Sequence, residues 1–373
     1  MNIAFFCIPA HGHTNPTLAV VRELTARGHT VRYYTTEAFR AKIEAAGAVF
    51  VPFDAEAARP GMTAADGARL GSDLAFSTRL IVDLTLAADD WLSRELTVHR
   101  PDVIVGDSMA FWAKLAAKKH GIPFVSSTTT FAFNRFSAKV IGQNGAGFLQ
   151  FLLAQPRINR QLKRLRAAGY AVKSVFDIIA NDNETETVVY TSPDFQPCAD
   201  TFSEKYHFVG PLLRPAQSSF EKLPGRSLIY ISLGTVNNDA LPFYRACLAA
   251  FGGDPRFQLV LSAGTQADLA AFGPIPESCT VRASVDQMAV LDCADVFLTH
   301  CGMNSASEGL WHGLPLVLYP QTPEQHGVAN RVAALGAGVP LTDPSADGIR
   351  RAVETALTDP AYRENAQKLA DGF

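Results

Sequence analysis

The sequence has 373 residues, of which 47% are hydrophobic and 18% charged, which excludes a disordered chain and suits two folded domains. Its formal net charge of -3 and its lack of a lysine or arginine run exclude the charge pattern of nucleic-acid-binding and membrane-surface proteins. The six cysteines form no CxxC pair, and no apolar stretch reaches a membrane span of roughly 18 residues, so we expect a cytoplasmic protein without zinc, disulfides or an integral membrane segment.

The first half of the chain alternates short apolar runs with segments of helical period, the pattern of βαβ units around a parallel sheet. We predict strands at 3–8, 31–35, 102–105 and 123–126, and helices at 16–28 and 109–120. Asn15 is predicted to cap the first helix, with Pro16 in its first turn. Gly28 and Gly121 are predicted to end the two helices.

Residues 208–226 concentrate proline, glycine and serine, a composition typical of a linker. Beyond them the pattern restarts, with predicted strands at 228–233, 258–262, 296–299 and 314–319 and helices at 240–251 and 305–312. We therefore predict an α/β protein with an N-terminal domain at 1–207 and a C-terminal domain at 227–373. Each is expected to be a doubly wound, Rossmann-like sheet, and the two are expected to face each other across a ligand-binding cleft.

Two polar residues in the first half follow predicted strands. His13 lies just after the first strand, and Asp107 ends the segment DVIVGD. A carboxylate that holds one nitrogen of an imidazole leaves the other nitrogen to take a proton from an alcohol. The alternatives are that the histidine only caps a turn and that the aspartate is solvated or caps the next helix.

In the second half, the segment VFLTHCGMNSASEG places His300 after a strand and Asn304, Ser305 and Ser307 at the start of a helix. Exposed N–H groups at a helix start favour a phosphate, and Glu308 is placed to hold a ribose diol. The turn that contains Thr235 is a weaker candidate for the same diphosphate. Because no DxD pair occurs, a divalent metal is not indicated, and we expect His300, the helix start and hydroxyls to neutralise the phosphates. The absence of GxGxxG and GxxxxGK[ST] motifs weighs against redox enzymes and P-loop NTPases.

Two segments carry most of a family resemblance, AHGHTNPTLAVVRELTARGH and HCGMNSASEGLWHGLPLVLYPQTPEQ. Through them the sequence resembles the GT-B nucleotide-sugar transferases of the macrolide, plant flavonoid and glucuronosyl group, above all the bacterial macrolide type. The resemblance implies that His13 is the general base and Asp107 its partner. It also implies a donor site that comprises Thr235, Ser284, Val285, Gln287, His300, Gly302, Asn304, Ser305, Glu308, Glu324 and Gln325. The implied donor is a nucleoside diphosphate sugar, UDP-glucose first, and the implied reaction is inverting, with no cofactor and no metal.

The sequence departs from this family in two places. Ser284 stands where a tryptophan usually stacks on uracil, so a weaker base site or a different nucleotide such as TDP is expected. Glu324 replaces the usual aspartate before Gln325, which moves the carboxylate by one methylene and is expected to alter sugar preference. Family members commonly add a last helix that crosses back to the first domain, and because this sequence stops at Phe373 we expect that it is either trimmed or lacks this contact.

The acceptor is expected to be an apolar small molecule, such as a macrolide or flavonoid. Aromatic residues between the predicted sheet units are candidates to line its pocket, with core packing as the alternative: Phe131, Phe133, Phe136, Phe148 and Phe151. Two other functions stay open at this stage. One is a GT-B nucleotide-sugar epimerase or cell-wall transferase, and the other is a catalytically weak homologue that binds nucleotide or aglycone for a partner.

Overall fold

The computed structural model describes residues 1–53, 73–140, 147–234, 240–265 and 267–373, and its side chains at 139, 140 and 147–152 lie outside that description. The chain divides into two compact units. The first contains Met1–Thr191 and Cys198–Leu212, and the second contains Ser192–Pro197 and Leu213–Phe373. The chain leaves the first unit for the last time between Leu212 and Leu213, inside segment 208–226, where the sequence composition suggests a linker.

The described part of the first unit holds a seven-stranded parallel sheet in the order β3-β2-β1-β4-β5-β6-β7. The strands are β1 (Asn2–Phe6), β2 (Thr30–Thr35), β3 (Val49–Pro52), β4 (Val103–Asp107), β5 (Phe124–Thr128), β6 (Glu186–Val189) and β7 (Tyr206–Phe208). The helices are α1 (His11–Ala26), α2 (Arg40–Ala45), α3 (Leu74–His99), α4 (Phe111–His120), α5 (Ser137–Val140), α6 (Gly147–Ala167) and α7 (Phe176–Ile179). The strand order reverses between β1 and β4, where such sheets bind ligands.

The described part of the second unit repeats this plan with six parallel strands in the order β10-β9-β8-β11-β12-β13. The strands are β8 (Ser227–Ser232), β9 (Phe257–Ser262), β10 (Cys279–Arg282), β11 (Val296–Thr299), β12 (Leu316–Leu318) and β13 (Gly338–Pro340). The helices are α8 (Leu241–Phe251), α9 (Gln287–Leu291), α10 (Met303–Trp311), α11 (Pro323–Ala334), α12 (Ala346–Thr358) and α13 (Pro360–Gly372). Here the order reverses between β8 and β11. The expected pair of doubly wound, Rossmann-like sheets is confirmed.

Apolar side chains cover both faces of the first sheet, as a parallel sheet with helices on each side requires. The register of β1 and β2 pairs Phe5 with Tyr33 and Phe6 with Tyr34, and both pairs stack, with ring centroids 4.8 and 4.3 Å apart. Since successive residues of a strand point to opposite faces, one stack lies in each layer of the core. This packing fixes the strand ends from which the site residues project.

One predicted helix boundary is wrong. Helix α1 begins at His11, five residues before Pro16, and its N-cap is Ala10 without a side-chain cap. Asn15 therefore lies inside the helix, and its carboxamide oxygen accepts a hydrogen bond from Lys42 Nζ at 3.1 Å. Both predicted stops are confirmed, because Gly28 and Gly121 follow their helices with φ of +82° and +66°. The early start places His13 in the first turn of α1.

Candidate functional site

The switch point of the first sheet brings His13 and Asp107 together. His13 follows β1, Asp107 is the last residue of the adjacent strand β4, and His13 Nδ1 lies 2.7 Å from Asp107 Oδ2. The two residues are 94 positions apart, so only the pairing of β1 with β4 makes this contact possible. Contact between these two side chains is the geometry that the base and partner roles require.

Asp107 is held in one orientation. Its side chain is inaccessible to solvent, and its second oxygen, Oδ1, accepts a hydrogen bond from the backbone N–H of Met109 at 2.9 Å. With Oδ2 accepting from Nδ1–H, the imidazole of His13 has its lone pair on Nε2, the nitrogen that can take a proton. The His13 side chain is 16% exposed, so a bound hydroxyl can reach the ring.

Thr129 is a third member of this cluster that sequence reasoning missed. It follows β5, the strand next to β4, and its Oγ1 lies 3.0 Å from His13 Nδ1. The residue is 3% exposed. The carboxyl ends of β1, β4 and β5 thus supply one residue each. A signal was present in the sequence, because Thr129 lies three residues after the predicted strand at 123–126 of the same sheet.

A buried polar layer lies beside the His13–Asp107 pair. Thr17 Oγ1 lies 2.8 Å from the Tyr33 hydroxyl, and Cys7 Sγ lies 3.8 Å from Thr14 Oγ1. Burial and the negative charge of Asp107 raise the pKa of the Cys7 thiol far above its usual value. The thiol therefore stays protonated and is not a nucleophile.

At the switch point of the second sheet, His300 follows β11 and packs between two glycines. A Cβ atom at Gly234 would lie 2.5 Å from His300 Nε2, and one at Gly302 would lie 2.6 Å from it. Gly234 also has a φ of +80°, and Cys301, between His300 and Gly302, has a φ of +63°. Only glycines leave room for the ring here, and the turn adopts a backbone conformation that is uncommon outside glycine.

Burial lowers the pKa of the His300 imidazole to about 4, and the nearby backbone of Ser232 offsets this only in part. The ring is therefore neutral near pH 7. A neutral imidazole can donate a hydrogen bond to a phosphate, and the role of His300 at the diphosphate stays a prediction. Among the residues that the structure describes, the buried Nδ1 of the ring has no hydrogen-bond partner.

Helix α10 begins immediately after this turn. Its N-cap is Gly302, which makes no side-chain cap, and Asn304 and Ser305 lie in the first turn. A helix start with small residues and backbone N–H groups is suited to a phosphate. Ser307 is different, because it is 2% exposed and its hydroxyl contacts Met303 Sδ inside the protein.

Glu308 and Gln287, both proposed as donor-binding residues, are in direct contact. Gln287 Nε2 donates to Glu308 Oε2, and Gln287 Oε1 accepts from the Tyr230 hydroxyl at 3.0 Å. Burial raises the pKa of Glu308, while Gln287 and the charge of Arg214 act in the opposite direction. Ser284 and Val285 precede α9 in the same segment, and Ser284 is exposed.

The two candidate sugar contacts lie in the first turn of α11. Gln325 forms a capping box with Thr322, in which its Oε1 accepts from the backbone N–H groups of Gln321 and Thr322 at 2.8 and 3.2 Å. Its carboxamide oxygen therefore already has a structural role. Glu324 is exposed at the helix start.

The candidate acceptor residues divide into two groups. Phe131 is 3% exposed and packed in the interior, whereas Phe133 and Phe136 are 47% and 41% exposed. Phe131 and Phe133 line a cavity of about 110 Å³ that also reaches Asp107. Thr235 and the side chains of Phe148 and Phe151 lie outside the described residues.

In the described part of the chain, no group of three or more histidine, cysteine, aspartate or glutamate residues is arranged to hold a metal ion. Helices long and apolar enough to cross a bilayer are also absent from that part.

Two doubly wound sheets, each with polar residues at its switch point, are the architecture of the GT-B transferases. Residues 257–373 match the family described as erythromycin biosynthesis protein CIII-like, C-terminal domain. The chain is 32% identical to the NDP-glycosyltransferase YjiC of Bacillus licheniformis, over 99% of this chain and 92% of that protein. It is also 32% identical to the demethyllactenocin mycarosyltransferase of Streptomyces fradiae, over 99% of this chain and 82% of that one.

A solved structure agrees with these sequence similarities. The glycotransferase of kitacinnamycin matches the fold with a TM-score of 0.85 at 30% identity, over 100% of this chain and 94% of that one. The chain belongs to the family 1 GT-B glycosyltransferases, of the macrolide and natural-product type.

Proposed function

We propose that this glycosyltransferase is an inverting, metal-independent enzyme that moves a hexose from a nucleoside diphosphate to a hydroxyl of an apolar small molecule. The observation that carries the proposal is the 2.7 Å contact between His13 Nδ1 and Asp107 Oδ2 at the switch point of the first sheet. In this arrangement His13 Nε2 takes the proton of the acceptor hydroxyl while the oxygen of that hydroxyl attacks the anomeric carbon of the donor sugar. Asp107 stabilises the resulting imidazolium.

The leaving nucleoside diphosphate is proposed to bind at the switch point of the second sheet. The first turn of α10 supplies N–H groups to the phosphates, and the neutral His300 adds a hydrogen bond. The pair formed by Gln287 and Glu308 is proposed to bind the nucleoside, with Glu308 on the ribose diol. Metal independence rests on the absence of a DxD motif from the sequence.

The proposed donor is UDP-glucose, with TDP-sugars as the competing class because Ser284 leaves the base without a stacking ring. The proposed acceptor pocket is the cavity lined by Phe131 and Phe133, since it combines these aromatic rings with polar groups and reaches Asp107. Aglycones with an apolar skeleton and a free hydroxyl fit this description.

A transfer screen by mass spectrometry tests the proposal. UDP-glucose, UDP-galactose, UDP-glucuronate and TDP-sugars are combined with phenolic, macrolide and steroid acceptors in the presence of EDTA. We expect a product heavier by one hexose with at least one pair, lost in His13→Ala and retained in His120→Ala, a matched change at an exposed histidine. Equal turnover by His13→Ala would show that His13 is not the base, and a requirement for metal would contradict metal independence.

A further inference from the structure

The first unit contains a second cavity that adjoins the one at Asp107. The first has a volume of about 110 Å³, and the second has a volume of about 460 Å³. Lys114, Phe124, Ala180 and Asn181 line both cavities and therefore mark their junction. The second cavity alone reaches the range of small-molecule sites, which begins at roughly 300 Å³. A ligand that extends from Asp107 into this space must pass Lys114.

Lys114 lies in the second turn of α4, and its Nζ donates a hydrogen bond to the carbonyl oxygen of Ala180. Among the residues that the structure describes, it forms no ion pair with a carboxylate. An ammonium group has three donors, and this bond uses one of them. Burial lowers the pKa of Lys114, although the charges of Asp182 and Asp177 act in the opposite direction. A partly buried cation without a close counter-ion is costly unless a ligand compensates for it.

Three acidic residues line the second cavity, Asp177, Asp182 and Glu184, and the first two accept hydrogen bonds from their own neighbours. Asp177 accepts hydrogen bonds from the backbone N–H groups of Lys173 and Ser174 at 2.6 and 3.3 Å. Asp182 accepts from the Thr185 hydroxyl at 2.7 Å and from the backbone N–H of Glu184 at 3.2 Å. Neither carboxylate lies within 4.0 Å of Lys114.

The other lysines of α4 have different surroundings. Lys118 is exposed and lines only the second cavity. Lys119 forms an ion pair with Asp89, with both oxygens 2.7 Å from its Nζ. Lys114 is thus the lysine of this helix that combines burial, a missing counter-ion and a position beside the cavity of Asp107.

We propose that Lys114 is an acceptor-specificity residue that binds a carboxylate of the aglycone. The aglycone's apolar skeleton then lies against Phe124 and its reacting hydroxyl lies toward Asp107 and His13. This inference rests on the proposed function, and it narrows the acceptor class to hydroxylated, mostly apolar carboxylic acids. The ion pair forms in a partly desolvated site, where a charge-assisted hydrogen bond is stronger than in water.

The test compares phenolic acids with their own methyl esters, using 4-hydroxycinnamate and a longer hydroxyaryl carboxylate as probes. We expect kcat/KM for the acid to exceed that for the ester by about 10-fold or more. Esterification lowers the pKa of the phenol, so a harder deprotonation of the hydroxyl cannot explain a lower kcat/KM for the ester. Lys114→Met is expected to reduce kcat/KM for the acid about 10-fold and to change kcat/KM for the ester less than twofold. Lys114→Arg is expected to keep most of the preference, and Lys118→Met is expected to keep all of it.

Binding of the same acid and ester is measured by calorimetry without donor, and thermal melting verifies that each variant folds. Lys114-dependent binding of the acid without any transfer would support the carboxylate site and overturn the proposed function. Transfer to the ester without a preference for the acid would overturn the carboxylate site and leave the proposed function standing. The carboxylate site would also be overturned if the preference for the acid survives in both Lys114→Met and Lys114→Gln. The same conclusion would follow if neither transfer nor binding depends on Lys114.

Discussion

At the scale of single residues, the imidazole of His13 is held by two neighbours on the same nitrogen. Asp107 Oδ2 lies 2.7 Å from Nδ1, and Thr129 Oγ1 lies 3.0 Å from it. One proton on Nδ1 cannot serve both partners equally, so the shorter contact to the carboxylate is the main bond and Thr129 is a positioning residue. Thr129 limits the rotation of the ring without carrying charge.

Thr129→Val keeps the shape of the side chain and removes the hydroxyl. We expect kcat to fall about 3-fold to 10-fold with KM for the acceptor nearly unchanged, because ring orientation matters most in the transition state. Thr129→Ser is expected to restore most of the rate. Steady-state kinetics over a range of pH checks this. A rise in KM alone, or no rescue by serine, would show that Thr129 acts only through packing.

The site residues differ in how far the sequence could predict them. His13 and Asp107 were predictable because each follows an apolar strand and carries chemistry that the other completes. Thr129 was missed because a threonine after a strand has no distinctive chemistry until its neighbour is known. Lys114 was missed because its significance lies in a cavity, and cavities depend on packing that no motif encodes.

At the scale of elements, both sheets place their candidate residues at the point where the strand order reverses. His13 follows β1 and Asp107 ends β4, and Gly234 and His300 follow β8 and β11. The alternation of strands and helices predicted this arrangement. The start of α1 could not be predicted from local signals, since Asn15 and Pro16 form a good helix start whose asparagine instead contacts Lys42.

The segments before and after β8 offer a matched pair of glycine substitutions, at Gly225 and Gly234. Gly234→Ala places a Cβ atom against His300 in a residue with a φ of +80°. Gly225→Ala has a comparable φ of +71° but meets no atom within 4 Å. Both variants are expected to lose about 1–2 kcal/mol of stability because alanine disfavours positive φ.

Only Gly234→Ala is expected to weaken UDP binding, by about 10-fold or more, because only this substitution displaces His300. Thermal melting and calorimetry with UDP measure the two effects separately. Equal UDP affinity in Gly234→Ala and Gly225→Ala would mean that His300 does not contact the nucleotide.

At the scale of the whole molecule, the two units have similar strand orders and carry different proposed roles. The proposed base and the proposed acceptor cavity belong to the first unit, and the helix start proposed to bind phosphate belongs to the second. Both sheets were predictable from composition and periodicity. The division of the chain between the two units was not predictable. Ser192–Pro197 belongs to the second unit even though its neighbours on both sides belong to the first.

The segment Ser192–Pro197 is held by contacts with residues far along the chain. Arg331 donates to the carbonyl oxygens of Phe195 and Asp194 at 2.9 and 2.7 Å, and the ring of Phe195 packs edge-on against Phe373 at 5.9 Å between centroids. A boundary set by such distant partners leaves no local trace in composition. The sequence composition predicts a linker at 208–226, but it could not predict that Ser192–Pro197 joins the second unit.

The central claim is that His13 activates a hydroxyl for a single direct displacement at the anomeric carbon. The most direct measurement is a proton NMR time course of transfer from an α-linked donor, UDP-glucose, by the unmodified protein and by His13→Ala. The account predicts that the first product is the β-glucoside and that His13→Ala forms it at least 100-fold more slowly while still binding UDP. An α-glucoside as the first product, or an undiminished rate in His13→Ala, would contradict it.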